Sequence, residues 1–137
     1  MTSQAVFVDT GAWVALRYRR DSRHAAARTL LERIRAERLG MVTTEWVFAE
    51  TVTLLKARGA ADHAIALGEA IQSGQLGLFV ESTPDRRQKA WQLFRRYRGR
   101  DVGYVDCTSF AVMEELGIRS YFGFDDDFAR AGFVAYG

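Results

Sequence analysis

Four short apolar runs, each followed by a long amphipathic stretch, set the tightest limit on what this chain can fold into. Ala5-Val6-Phe7-Val8, Met41-Val42-Thr43, Leu76 to Glu81 and Tyr121 to Phe124 have the length and composition of buried strands. The segments between them repeat apolar residues at helical spacing. Ser22 is expected to cap a helix reaching Leu39 before Gly40, and Thr44 one from Glu45 to about Arg58 before Gly59. Asp62 opens another that ends near Ser73-Gly74, and Pro84 starts one reaching Arg98, in a first turn where its missing N–H costs nothing. A helix from about Tyr104 to Leu116 stops at Gly117. A short helix at Ala12 to Leu16 and a last strand at Phe133 to Tyr136 complete the reading. Strands alternating with helices predict an α/β fold, a mostly parallel sheet of four to five strands covered by helices.

The 137 residues, 48% of them hydrophobic, suit one core and one domain, 1–137. No run of about 18 apolar residues is present to cross a bilayer, and Ala5 to Val8 is too short for a signal-peptide core. The expectation is a soluble cytoplasmic protein with no membrane contact. Cys107 is the only cysteine, so it has neither a disulfide partner nor a second thiol for zinc, and reads as a small core side chain. A net charge of +2 marks no nucleic-acid binder by itself. Of the 19 basic residues 17 are Arg, which forks onto phosphates and carboxylates, although a GC-rich genome produces the same bias.

Two acids end strands. Asp9 follows Phe7-Val8 and Asp125 follows Tyr121 to Phe124, and ligands of parallel sheets bind beyond those carboxyl ends. Two further acids fall on helix positions expected to be apolar. Glu50 lies between Trp46 and Leu54 with Val47 alongside, which turns its carboxylate toward the packed side, and Asp106 lies between Phe110 and Met113 near a helix start. The competing roles are helix capping or a buried pair with Arg. Unit charges about 4 Å apart repel by roughly 4 kcal/mol at an effective dielectric of 20, so four gathered carboxylates need a cation. Oxygen ligands without His or Cys nearby select Mg²⁺ or Mn²⁺ over zinc, and His24 and His63 read as surface or capping residues. An ion held in this way suits phosphodiester hydrolysis, by one or two metals. Thr10 and Ser109 are close enough in sequence to contact a phosphate or a metal-bound water, although Thr10 also suits a helix cap.

The ordered motifs FVDTGAWVAL, TTEWVFAET, YVDCTSFAVMEELGI and FGFDDDF resemble the PIN-domain nucleases, particularly the VapC-type toxins of bacterial toxin–antitoxin pairs. The resemblance runs from Val6 to about Phe133. It implies a three-layer α/β/α PIN-like domain whose metal site is Asp9, Glu50, Asp106 and Asp125. It further implies a Mg²⁺-dependent endoribonuclease, a homodimer, and a cognate antitoxin inserted into or beside the acidic groove. One position departs from the pattern: Gly123 stands where the family commonly carries Thr or Ser two residues before the final Asp. Asp127 is an alternative to Asp125, and Asp101, in a glycine-flanked loop, reads as solvated.

The helix from Pro84 to Arg98 sets Ala90, Leu93, Phe94 and Tyr97 on one face, with Arg87, Lys89, Arg95, Arg96 and Arg98 around the other and Trp91 among them. Arg87, Trp91, Arg95, Arg96 and Arg98 therefore form a candidate RNA or partner contact, to be weighed against a dimer interface or a solvated face. Other strand-ending-Asp enzymes fit less well. A haloacid dehalogenase needs an Asp where Gly11 stands, and a receiver domain needs a strand-ending Lys that neither Lys56 nor Lys89 supplies. The rival from a different class is an RNA-binding or regulatory module with little catalytic activity.

Overall fold

A computed structural model describes residues 4–137; residues 1–3 of the expected 1–137 domain lie outside the described residues. In chain order the elements are β1 (Ala5–Val8), α1 (Thr10–Arg17), α2 (His24–Ala36), β2 (Gly40–Thr44), α3 (Glu45–Ala57), α4 (Ala61–Gln72), β3 (Leu78–Val80), α5 (Pro84–Arg96), α6 (Tyr104–Leu116), β4 (Ser120–Phe122), α7 (Asp127–Arg130) and β5 (Val134–Ala135). The strands form one sheet in the order β3-β2-β1-β4-β5, and every pairing is parallel. With seven helices flanking it, this is the α/β/α arrangement of a PIN-like domain.

The strands are nearly continuous in Val, Phe and Tyr because both sheet faces are covered. Val6, Phe7 and Val8 of the central strand are at most 1% exposed. Beside this strand Phe7 and Tyr121 meet Phe128, which Phe110 of α6 contacts edge-on at 5.0 Å. Helix α1 packs on α2 and α3, α3 on α4, and α5 on α6. The Trp13 indole N–H donates to Thr43 Oγ1 at 3.2 Å, and that hydroxyl donates to the Val8 carbonyl, tying α1 to β2 and β1 with both buried side-chain groups paired.

Several boundaries differ from expectation for identifiable reasons. Thr44 and Thr83 cap α3 and α5 as expected, accepting from the Val47 and Arg86 amides, and Gly117 (φ 70°) ends α6 in the left-handed conformation. Ser22 caps nothing: α2 begins at His24, and it is Asp21 Oδ1 that accepts the Arg23 amide, at 2.8 Å. His24 Nδ1 instead donates to the Ala15 carbonyl at 2.7 Å, fastening α2 to α1, and His63 is exposed. Strand β3 is shorter than Leu76 to Glu81 because Gly77, at φ 148°, passes so near β2 that a Cβ would sit 2.2 Å from the Met41 carbonyl oxygen. No helix among the described residues is long and apolar enough to cross a membrane.

Candidate metal centre

The chain leaves β1 for β2 on one side, while β4 returns on the other, so the carboxyl ends of β1 and β4 flank the point where the strand order reverses. Val8 pairs with Phe122, and the Asp9 amide donates to the Phe122 carbonyl at 3.0 Å. Asp9 therefore stands at the first residue beyond β1, and the segment Gly123 to Asp125 turns past it. A Cβ on Gly123 would lie 3.2 Å from the Asp9 Cβ and 3.6 Å from its Oδ2. The family hydroxyl missing at this position would have to fit against the Asp9 side chain.

One cavity of about 580 Å³ opens here, lined by Asp9, Glu50, Asp106, Asp125 and Asp127, with Asp21, Asp126, Arg58 and Arg130 at its margins. Helix α6 brings Asp106 in at its third residue. Asp125 Oδ1 accepts the Asp127 amide at 2.9 Å, a local turn that aligns the two carboxylates at the start of α7. Oxygens of Asp106, Asp125 and Asp127 all lie within 4.8 Å of one another. Asp127 thus belongs to the tightest part of the cluster beside Asp125. The spacing of two residues was visible in the sequence, but the turn that brings both inward was not. Asp101 is exposed and lines no part of this cavity.

Glu50 corrects its expected orientation. The buried stripe of α3 is Val47, Thr51 and Leu55, one residue around the helix from Glu50. Trp46 is only half-buried and Leu54 is 36% exposed, so the neighbours that suggested a packed position mark the edge of that face. The Glu50 carboxylate is exposed and projects into the acidic cavity.

Neither capping nor ion pairing accounts for these acids. Asp9 occupies the N-cap position of α1, and Asp106 lies in the first turn of α6, yet neither helix start has a capping side-chain hydrogen bond. Among the described residues the one ion pair involving the cluster joins Asp127 to Arg130 at 3.6 Å, and Arg130 is largely exposed, so it neutralises little. Burial pushes Asp9 up to about 6, and the charges of Glu50, Asp125 and Asp127 add to the rise despite an opposing hydrogen bond from the Thr10 amide. Asp106 rises to about 8, first through burial and then through the charges of Asp9, Asp125 and Asp127. Asp127 is raised as well, by burial and by Asp125.

This donor set fits a divalent cation. In octahedral coordination at 2.0–2.1 Å, neighbouring oxygens are roughly 3 Å apart and opposite ones roughly 4.2 Å, so a 4.8 Å cluster closes onto an ion with sub-ångström movements. Thr10 lines the cavity, and its buried hydroxyl has no hydrogen-bond partner. Ser109 differs: its hydroxyl also lacks a partner, but the residue is fully buried within α6 and lines no part of the cavity, out of reach of a phosphate in this conformation. Cys107 is buried in the core, and burial pushes its thiol up to about 11, so it is inert at neutral pH.

Arg87, Trp91, Arg95, Arg96 and Arg98 lie outside this cavity on or just beyond α5. Trp91 is 53% exposed and stacks on Phe94 with ring centroids 5.3 Å apart, and Phe94 meets Tyr104 at the start of α6. The patch therefore adjoins the helix that carries Asp106.

Residues 6–134 match the PIN domain family model. The chain is 38% identical over 129 residues to the 23S rRNA-specific endonuclease VapC20 of Mycobacterium tuberculosis, in strains CDC 1551 / Oshkosh and H37Rv, with 94% of this chain and 95% of the relative covered. It superposes on the crystal structure of M. tuberculosis VapC20, described as a Sarcin-Ricin loop cleaving toxin, with a TM-score of 0.84 and 37% identity over 95% of this chain and 97% of the other. Acids converging at the switch point, a family match along nearly the whole chain and that superposition agree: this chain belongs to the PIN domain family and is a nuclease of the VapC type.

Proposed function

We propose that this protein is a Mg²⁺-dependent endoribonuclease that cleaves an exposed loop of 23S ribosomal RNA, and that it is the toxin of a toxin–antitoxin pair. The single observation that carries the reading is the meeting of Asp9, Glu50, Asp106, Asp125 and Asp127, delivered by separate elements, in one cavity whose charges go largely uncompensated. Asp106, Asp125 and Asp127 would hold the ion, with Asp9 and Glu50 beside it. When bound, Mg²⁺, or Mn²⁺ in its place, supplies an activated water and charge stabilisation at the phosphate. The protein's own residues prepare that chemistry. Thr10 lines the cavity with an unpartnered buried hydroxyl, and glycine at position 123 leaves space beside the Asp9 side chain at the end of β1.

The RNA target comes from the relatives, since the acids read no sequence. The antitoxin, a homodimeric state and a cytoplasmic setting belong to the same reading and rest on the family. Arg87, Trp91, Arg95, Arg96 and Arg98 extend the RNA contact along α5, cations holding phosphates and Trp91 offering an aromatic face to an unpaired base. Replacing Arg95 and Arg96 by Ala would then flatten the salt dependence of RNA binding, and an unchanged slope refutes that contact.

The decisive experiment incubates purified protein with 23S rRNA in Mg²⁺, in Mn²⁺ and in EDTA, beside an Asp9→Asn variant. A single metal-dependent cut that vanishes in EDTA and in the variant is expected. Cleavage that survives either condition refutes the assignment of these acids. RNA binding without any cleavage would favour the regulatory-module alternative.

A further inference from the structure

The acidic wall is only part of the cavity. Helix α3 presents Glu50, Leu54 and Arg58 at successive intervals of four residues, so the three lie along one stripe, and all three line the cavity with Val14 of α1. Moving along that stripe from Glu50, the lining changes from anionic to apolar to cationic. Arg58 is not drawn into the acids. Its guanidinium lies over the Tyr18 ring at 5.6 Å, and Nη1 is 3.6 Å from Asp21 Oδ2, beyond hydrogen-bond distance. The Arg23 amide in turn holds Asp21. The guanidinium is thus oriented from behind by Tyr18 and a long ion pair to Asp21, while the side chain stays 43% exposed. Arg130, the other cation lining the cavity, makes an ion pair of the same 3.6 Å length, but with Asp127 of the acidic cluster itself and on the same short helix.

This geometry answers a problem the site creates for its own substrate. A strand whose scissile phosphate sits at the carboxylates carries further phosphates on either side, and the uncompensated acids repel them. A fixed guanidinium across an apolar floor removes that repulsion in one direction. We propose that Arg58, Leu54 and Val14 form a subsite for the nucleotide next to the scissile bond of an RNA strand, with the guanidinium forked onto that nucleotide's phosphate and the apolar pair under its sugar or base. The subsite rests on the endoribonuclease reading and adds to it a defined direction for the strand.

The test is single-turnover cleavage of a 23S rRNA fragment containing the sarcin–ricin loop, at saturating Mg²⁺ and varied enzyme concentration. Arg58→Gln, Arg58→Lys and Asp21→Asn are compared with the wild type. Arg58→Gln keeps the stem over Tyr18 and removes the charge. It should raise the half-saturating concentration about 10- to 100-fold, with the saturating rate within about threefold and a salt slope shallower by roughly one phosphate contact. Arg58→Lys should recover part of the loss as a point charge. Asp21→Asn, which loosens the orientation of Arg58, should raise the half-saturating concentration less than Arg58→Gln does, and the Mn²⁺ concentration giving half-maximal thermal stabilisation should be unchanged in all three. An Arg58→Gln protein with wild-type half-saturation and salt slope overturns the subsite. So does one that loses saturating rate and Mn²⁺ response together, which would make Arg58 a support of the acidic wall. A wild type that cleaves no RNA overturns the endoribonuclease reading as well.

Discussion

Replacing Asp9 by Asn should make the metal-free protein more stable at alkaline pH while weakening its response to Mg²⁺. Asp9 is 7% exposed, and burial with neighbouring negative charge lifts its carboxyl from an ordinary 3.8 to about 6. A carboxyl whose folded value is raised binds its proton more tightly in the native state than in the unfolded one. Its contribution is therefore favourable below the unfolded value and is lost as pH rises through about 6. At 1.36 kcal/mol per pKa unit the full penalty is about 3 kcal/mol, reached by pH 8 and only about 0.5 kcal/mol at pH 4. Asn keeps the shape and an oxygen for the Thr10 amide without the charge. Urea unfolding in EDTA at pH 4, 6 and 8 should show the variant gaining on the wild type across this series, by up to about 3 kcal/mol at pH 8, and thermal melts at pH 8 should show a midpoint about 10 °C higher. Adding Mg²⁺ should narrow or reverse the gap, because the wild type gains the larger binding term and its metal affinity rises as the acids deprotonate. A variant less stable than wild type at pH 8 in EDTA, or a gap that does not change with pH, would refute the account of Asp9 as a strained ligand.

Other substitutions separate the roles of neighbouring residues. Asp127→Asn should weaken Mn²⁺ binding at least about 10-fold in a calorimetric titration, whereas Asp126→Asn, outside the 4.8 Å cluster, should change it less than about threefold; equal effects would contradict the assignment. Gly123→Ala places a Cβ 3.2 Å from that of Asp9 and should cost about 1 kcal/mol in urea unfolding while weakening the Mg²⁺ response. Thr44→Ala removes the cap of α3, the helix that carries Glu50, and should lower stability by about 1 kcal/mol with the RNA cut site unchanged.

What could be read from the sequence follows from which forces act locally. Strand β1 and helix α6 were legible to the residue because an unbroken apolar run ends at Asp9 and because Gly117 supplies a left-handed stop. The end of β1 also pointed to Asp9, since parallel sheets place ligands there, whereas β4 stops at Phe122 instead of Phe124, so Asp125 reaches the cavity from the turn three residues beyond the strand. The reading failed where tertiary placement decides. Glu50 was judged by Trp46 and Leu54 as though large apolar residues always mark the core, but the sheet meets α3 along Val47, Thr51 and Leu55. Asp127 was ranked below Asp125 because the turn that aligns them depends on one side chain accepting one amide. Arg58 and Asp21 gave no local sign of sharing the cavity, being 37 residues apart in sequence and joined only by packing of α3 beside α1 and its following turn.

The helix starts explain how so much negative charge survives in the folded chain. Asp9 precedes the first turn of α1, Asp106 lies in the first turn of α6, and Asp127 opens α7, so three of the acids meet the positive end of a helix. That field lowers the cost of ionising them, yet α1, α6 and α7 all lack the capping side-chain hydrogen bond that a helix start normally gains. A capped carboxylate would be more stable, but it would have a lone pair committed to an amide and point along its own helix. Asp9 still accepts the Thr10 amide and Asp125 Oδ1 the Asp127 amide, and their remaining lone pairs stay available to a shared cation. Helices α3 and α5 carry ordinary Thr caps, while α2 and α4, also outside the cluster, have no side-chain cap, so a missing cap alone does not mark the site and it is the convergence of acids on three helix starts that does.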